Sequence, residues 1–345
     1  MIDTFALLKS SSAVFLATLL CTWLLRPVAC HIGLVDSPGG RKWHANDVPL
    51  IGGIAMFLGF CFALAILPIP FYYYRGLLVG SGLLILIGAV DDLYEISSRP
   101  RLLGQLFACF FLIAWGGKVV TNLGNLFFAG DIHLNGWSAP VTIFAVMGFI
   151  NAMNMVDGQD GLAGGVALTQ IFPLLFLSIL LGRINDTLLL ITIATLLSAF
   201  LFFNMPLPWR RNATVFLGDA GSGFIAFVIA WFATNVSQSH AYFAKPITIL
   251  WILALPLFDL ISACTFRIKN DISPFRASRD HLHHILHARG LNQTISTLLM
   301  CLLSLAFATT GLILGLLNIP EGWSFLAFLI TLTCYLIFVR VVKDN

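Results

Sequence analysis

Long apolar runs alternate with short polar breaks along the whole chain. A helix needs about 20 apolar residues to cross about 30 Å of hydrocarbon. Read at that length, the pattern predicts eleven helices, near residues 5–25, 50–68, 73–90, 102–121, 139–155, 162–181, 186–204, 220–238, 246–265, 294–315 and 323–341. Pro68-Ile69-Pro70, Gly182-Arg183-Ile184-Asn185 and Asn318-Ile319-Pro320-Glu321-Gly322 mark tight turns between them. The run from Val14 to Leu25 is preceded by one cation, Lys9, and no convincing small-residue cleavage site follows it. It reads as an uncleaved first helix. The expected fold class is an all-α polytopic integral membrane protein, a single domain over residues 1–345.

Composition agrees. Of the 345 residues 59% are hydrophobic and 10% charged, with mean hydropathy +0.92. Soluble domains carry about 25% charged residues. The net charge of +3 is too small to argue for nucleic acid. The seven cysteines include no Cys-x-x-Cys pair and lie in or beside apolar spans, as small apolar fillers do.

Eleven crossings put the termini on opposite sides. One side then holds Arg26, Arg41, Lys42, Arg99, Arg101, Arg210, Arg211, Arg267, Lys269, Arg276, Arg279, Arg289, Arg340 and Lys343. The other holds only Lys9, Arg75, Lys118, Arg183 and Lys245. Basic loops stay in the cytoplasm. The expected orientation is therefore N-terminus periplasmic, C-terminus cytoplasmic. Asn122 to Ser138 is the one long external connection, and its pattern allows a small hairpin.

Four polar clusters share the basic side. Carboxylates beside hydrocarbon are costly, so each is a functional-site candidate. The first is Asp91-Asp92-Leu93-Tyr94-Glu95, where Asp91 and Glu95 share a helical face at i,i+4. Such a crowd of like charge is offset by a metal ion or a lysine; a solvated helix end is the plainer alternative. The second contains Asn151, Asn154, Asp157 and Asp160, each three residues after the last, with Gly158 and Gly161. Its oxygen donors suit Mg²⁺ rather than zinc. In the third, Phe216-Leu217-Gly218-Asp219-Ala220-Gly221-Ser222, Asp219 can cap a helix whose start also attracts phosphate, and Phe216 can stack on a base. The fourth, Asp280-His281-Leu282-His283-His284-Ile285-Leu286-His287, has His283 and His287 at the i,i+4 spacing of zinc helices and sits among Arg276, Arg279 and Arg289. Without a cysteine or an accompanying glutamate it reads as a phosphate surface before a zinc site. A short amphipathic helix is expected in the middle of that loop. Arg41-Lys42-Trp43-His44 adds cations that anchor to lipid or contact phosphate. Asp259 and Arg267 sit on one face of the ninth span and predict an ion pair.

In this order the motifs resemble the polyprenyl-phosphate N-acetylhexosamine-1-phosphate transferase superfamily. The residues are Arg41-Lys42-x-His44 with Pro49-x-x-Gly52-Gly53; Asp91-Asp92; Asn151-x-x-Asn154-x-x-Asp157-Gly-x-Asp160-Gly-Leu162; Phe216-x-Gly-Asp219-Ala-Gly-Ser222; and Ser273-Pro-Phe with His281-x-His283-His284. They run from about residue 26 to residue 292. The His-x-His-His form looks most like the branch that acts on undecaprenyl phosphate and N-acetylglucosamine (WecA type), because the peptidoglycan branch usually has three consecutive histidines. Glu95 departs from the family pattern, which usually has Asp.

The resemblance implies transfer of a sugar 1-phosphate, GlcNAc foremost, from a UDP-sugar to undecaprenyl phosphate, with release of UMP. That would be the first membrane step of a cell-envelope glycan such as O-antigen, in the bacterial inner membrane. UDP-GalNAc, UDP-FucNAc and UDP-QuiNAc are the alternative donors. It implies Mg²⁺, with Mn²⁺ as substitute, at Asp219 with Asn154 or the Asp157/Asp160 pair close by, Asn154 and Asp157 foremost. It implies catalytic roles for Asp91, Asp92, Asp157, Asp160 and His281. Substrate contacts fall to Lys42, His44, Asn151, Phe216, Gly218, Arg279, His283 and His284. Asp91 and Asp92 stand as organisers of metal or lysine before base or nucleophile, since a phosphomonoester is already largely dianionic at neutral pH. A homodimer is the assembly considered. A lipid-linked sugar flippase is the rival from another class, but it needs polar residues along a transmembrane path, and these acids gather at one face.

Overall fold

The computed structural model describes residues 4–37, 47–206, 210, 212–271 and 280–344. Lys42, His44 and Arg279 lie outside the described residues.

All eleven apolar segments are helical. In chain order the helices are α1 (Thr4–Ile32), α2 (Gly52–Ile66), α3 (Arg75–Tyr94), α4 (Ser98–Ala114), α5 (Ser138–Val156), α6 (Leu162–Leu180), α7 (Ile184–Asn204), α8 (Gly218–Ser237), α9 (Pro246–Ile252), α10 (Ala254–Lys269), α11 (Leu282–Ala288), α12 (Gln293–Leu316) and α13 (Glu321–Asp344). Among the described residues eight helical segments are long and apolar enough to cross a membrane, or nine if the bent pair α9–α10 counts as one span. The chain is a polytopic membrane protein. Helix α2 is short at 15 residues, and α4 has 17 and begins with Arg99 and Arg101. The ninth predicted span is broken at Leu253, with a bend of 74°. Pro256 explains the break: it has no N–H to give to Ile252, and its ring collides with that carbonyl in a continuous helix.

Helix α8 is the central post, with 94% of its apolar window buried. Trp231, Phe224, Phe227 and Phe232 are wholly buried along it. It is apolar all round, as a helix surrounded by other helices should be. Lipid tails are as apolar as these side chains, so close packing is what binds such helices. The end of α8 that carries Asp219 is therefore built from small residues. A Cβ on Gly88 of α3 would lie 2.3 Å from Ala220, and one on Gly53 of α2 would lie 2.3 Å from Gly221.

Strands β1 (Val35–Asp36) and β2 (Val48–Pro49) pair antiparallel, Val35 with Pro49 and Asp36 with Val48. They lead the chain into α2. The N–H groups of Gly52 and Gly53 at the start of α2 donate to the carbonyls of Phe216 (2.9 Å) and Leu217 (3.1 Å). A helix start has unpaired N–H groups, and here the neighbouring loop satisfies them. That stitch fixes the Phe216 loop.

The polar clusters lie at the Asp219 end of α8. At the other end Asn235 receives Lys118 Nζ (2.9 Å) and donates to Asp186 (2.6 Å), which also accepts from the Tyr74 hydroxyl (2.7 Å). The 16 residue steps from Asp219 to Asn235 put the two groups about 24 Å apart at 1.5 Å per residue. The expected hairpin forms on the Asn235 side. Leu123 N–H donates to Ile132 O (3.0 Å), Leu134 N–H to Thr121 O (2.8 Å), and the Gln238 side chain clasps its base.

Candidate active site

Asp92 reaches across from α3 to the start of α8. Its Oδ1 accepts the Asp219 N–H at 2.9 Å, and its Oδ2 accepts the Ala220 N–H at 3.3 Å. A carboxylate at a helix N-terminus is favoured by both the free donors and the helix dipole. Capping α8 was the plainer alternative for Asp219; Asp92 performs that role, and the Asp219 carboxylate turns to Asn154 and Arg101 instead. Gly218 permits the approach, with a left-handed φ of 74° and a missing Cβ that would stand 2.5 Å from Asp92.

Asp91, one residue earlier, is buried and points to the other side of the same junction. Arg101 Nη1 stands 3.0 Å from Asp91 Oδ2 and 3.5 Å from Asp219 Oδ2. One guanidinium thus bridges two carboxylates from α3 and α8. Asn154 Nδ2 donates to Asp219 Oδ1 and to Ser222 Oγ (3.1 Å). Asn151 turns instead to α4, donating to Gln105 Oε1 at 2.9 Å.

Helix α5 stops at Val156, so Asp157 and Asp160 are not on the helical face that their spacing suggested. Asp157 enters the same acidic group. Burial, and after it the nearby Asp219, Asp92 and Asp160, push its carboxyl well above the usual carboxylate range. Asp160 Oδ2 accepts the Ala213 N–H at 2.8 Å and so ties this turn to the Phe216 loop. Glu95 is also displaced from its expected face. It ends α3 in a left-handed conformation, φ 48°, its N–H on Asp91 O at 2.8 Å.

The histidines divide. His281 is buried, with Nδ1 2.7 Å from Asp259 Oδ2 and Nε2 3.2 Å from Arg267 Nη2. It stands between Asp259 and Arg267, which were expected to pair directly. His283 is 2% exposed, and neither ring nitrogen has a hydrogen-bond partner among the described residues. Burial, with the adjacent His284, lowers its pKa to about 3, so the ring is neutral. It lies against Gly158, where a Cβ would stand 2.1 Å from its Nε2. The expected short helix in this loop is α11.

Two cavities meet here. One of about 520 Å³ is lined by Asp92, Asp157, Asp160, Phe216, Asn212 and Gln293, among others. The second, about 330 Å³, runs between α3, α4 and α5 and has apolar walls at Leu84, Ile87, Leu102 and Ile150, with Asn154 and His283. Asp91, Arg101, Gly158, Asp219 and His284 line both. The junction joins a polar chamber to one that extends between α3, α4 and α5.

The family model for glycosyl transferase family 4 matches residues 74–237. The chain is 35% identical over 323 residues to the undecaprenyl-phosphate alpha-N-acetylglucosaminyl 1-phosphate transferase of Yersinia pestis, covering 93% of this chain and 88% of that one. It is 31% identical to the Escherichia coli (strain K12) protein of the same name, over 94% and 88% of the two chains, and 32% identical to that of Haemophilus influenzae, over 93% and 90%. The chain belongs to glycosyl transferase family 4. The family's matched segment spans α3 to α8, and so includes Asp91, Asp92, Asn154, Asp157, Asp160, Phe216 and Asp219. The resemblance of its motifs to the polyprenyl-phosphate sugar-1-phosphate transferases accords with these relatives.

The donors fit a hard cation. They are carboxylates and an amide, with no thiolate, and the crowd of like charge calls for a compensating cation. The Arg101 guanidinium supplies part of that positive charge between Asp91 and Asp219. Among the described residues no three His, Cys, Asp or Glu side chains converge as a metal-ligand group. Zinc at the histidines, the lesser alternative, finds no support in His281, whose two nitrogens are engaged.

Arg101 was read from the sequence only as a cytoplasmic cation. Its signal was available: Glu95 to Ser97 make a three-residue turn, so the first turn of α4 must lie against the last turn of α3. The shared role of Asp259 had no signal, because its partners come from residues 281, 282 and 335.

Proposed function

We propose that this enzyme transfers N-acetylglucosamine 1-phosphate from UDP-GlcNAc to undecaprenyl phosphate and releases UMP. The observation that carries the reading is the junction of the two cavities. A nucleotide diphosphate suits the polar chamber, where Phe216 offers a stacking face. A lipid phosphate suits the chamber with apolar walls, where its chain can follow α3, α4 and α5. The relatives' names favour undecaprenyl phosphate and N-acetylglucosamine.

In the reaction an oxygen of the lipid phosphate forms a bond to the β-phosphorus of the donor. The bond from that phosphorus to the bridging oxygen breaks, and UMP leaves with the oxygen. The obstacle is bringing two polyanions together. Arg101 offers positive charge at the point where both cavities meet. His284 lies at the same point. Asp92 holds the start of α8 and so sets the position of Asp219. Asp219, with Asn154 and Asp157, would hold Mg²⁺ or Mn²⁺, which supplies charge neutralisation on the phosphoryl groups. In-line phosphoryl transfer needs little more than such positioning and charge.

The same reading counts α2, α4 and the broken α9–α10 as crossings. Eleven spans then put the N-terminus in the periplasm and the site in the cytoplasm of a bacterial inner membrane, where UDP-sugars are made. The purified chain, given undecaprenyl phosphate, Mg²⁺ and a panel of UDP-N-acetylhexosamines, should release UMP fastest with UDP-GlcNAc. No UMP release with any of them would refute the transferase reading; faster release with another sugar would reassign the donor.

A further inference from the structure

Asp259 is 1% exposed in α10, yet it gathers three donors. The His281 Nδ1–H donates to Oδ2 at 2.7 Å, the Leu282 N–H to Oδ1 at 2.9 Å, and the Tyr335 hydroxyl to Oδ1 at 3.2 Å. Arg267, itself 1% exposed, donates from Nη2 to His281 Nε2, which fixes the proton on Nδ1. A buried carboxylate must be paired and hydrogen-bonded to persist, and this one is saturated.

The partners come from three elements. His281 and Leu282 open α11, the helix that carries His283 and His284 into the cavities. Tyr335 belongs to α13, most of whose surface is apolar and exposed. The cytoplasmic-motif end of α13 is tied to α11 twice more. Lys343 pairs with Asp280, and the Arg289 guanidinium donates to the Val342 carbonyl. Arg267 Nε lies 3.8 Å from Asp280 Oδ2 and closes the loop of contacts. Hence α11 is held at both ends by a helix that touches neither cavity.

We propose that Asp259 and Tyr335 are positioning residues of the transferase, which hold the histidine helix against the site and make the C-terminal helix part of the active-site framework. The proposal rests on the transferase reading above. Asp259 sets both the tautomer of His281 and the first backbone donor of α11. Tyr335 braces the carboxylate from behind, with Phe258 packed against its ring at 5.7 Å.

The test uses the full-length chain in lipid nanodiscs, with Tyr335→Phe, Asp259→Asn and Asp259→Glu. Three quantities are measured: steady-state kinetics with UDP-GlcNAc, amide hydrogen exchange over residues 280–290, and the melting temperature. Tyr335→Phe removes one hydroxyl donor and should raise KM for the UDP-sugar about tenfold, with kcat within about twofold. Exchange over 280–290 should quicken about tenfold while the melting temperature holds. Asp259→Asn should move KM and exchange further, and Asp259→Glu should recover part of the loss. Unchanged KM and exchange in both Tyr335→Phe and Asp259→Asn would overturn the proposal. So would activity lost in step with melting temperature at constant KM, which is what a purely structural role gives. If the wild type transfers no sugar phosphate at all, the transferase reading fails, and the exchange comparison still decides whether Asp259 and Tyr335 hold α11.

Discussion

Asp92 separates two explanations for an acidic pair, and the structure sets the size of the difference. In Asp92→Asn the amide oxygen can keep the 2.9 Å bond from Asp219 N–H. The new NH₂ then faces the Ala220 N–H, donor against donor, where the 3.3 Å bond was. A hydrogen bond to a charged acceptor contributes about 1.5–3 kcal/mol. A charge at a helix start contributes about 0.3–1 kcal/mol when exposed and up to about 2 when partly buried. These overlap, since the same oxygen makes both, so the combined loss is about 2–3 kcal/mol. Expressed wholly in the transition state, that lowers kcat/KM roughly 30- to 150-fold. A group that carries the chemistry itself costs about 10⁴-fold or more when removed. The assay is UMP release by purified wild type and Asp92→Asn, with melting temperature as the check on folding. A loss of 10⁴ or more in a stably folded variant would refute the capping argument and return Asp92 to the reacting groups.

Three further outcomes are expected. Activity should require Mg²⁺ or Mn²⁺ and vanish in EDTA, and Asp219→Asn should lose several orders of magnitude while still folded; full turnover in metal-free buffer would rule the cation out. A C-terminal reporter should read cytoplasmic, and a single cysteine between Asn122 and Ser138 in a cysteine-free background should label from outside; labelling of the 281–287 segment from outside would invert the topology. His283 is held neutral when folded, with its pKa lowered from about 6.5 to about 3, so the unfolded chain binds its proton first as pH falls. Its contribution is therefore complete above about pH 6.5 and declines towards pH 3, by at most about 1.4 kcal/mol per pH unit. His283→Gln should flatten the acid side of the melting-temperature profile, and an unaltered slope between pH 6.5 and pH 4 would show that another group sets it.

The helices were legible because apolar length is a one-dimensional signal. Each of the eleven segments is helical, and the hairpin and the short histidine helix also form where expected. What the pattern could not show was geometry between segments. Pro256 breaks the ninth span, although the apolar run passes straight through it. The three-residue spacing of Asn151, Asn154, Asp157 and Asp160 suggested one helical face, but α5 ends at Val156, so the acids leave in a turn. Local capping chemistry correctly marked the start of α8, yet the capping residue came from a helix more than 120 positions away. His281 looked like a ligand for phosphate by its place in a motif, and its two nitrogens are spent on Asp259 and Arg267. Side-chain type tells which chemistry is available; only tertiary contact tells which atoms remain unspent.

The crossing of α2, α3 and α8 has a consequence for how such enzymes diverge. A methyl group added at Gly53, Gly88 or Gly221 would stand 2.3–2.5 Å from Gly221, Ala220 or Leu217. Added bulk is therefore shut out of the post that carries Asp219, whereas the polar chamber is walled by the loop residues Asn212, Phe216 and Gln159 and by Gln293 at the start of α12. An ancestral transferase could change the sugar it accepts by exchanging those walls while the phosphoryl-transfer centre stayed in place. Attempts to redirect the donor by mutagenesis should begin at the same walls, with the glycine crossing left untouched.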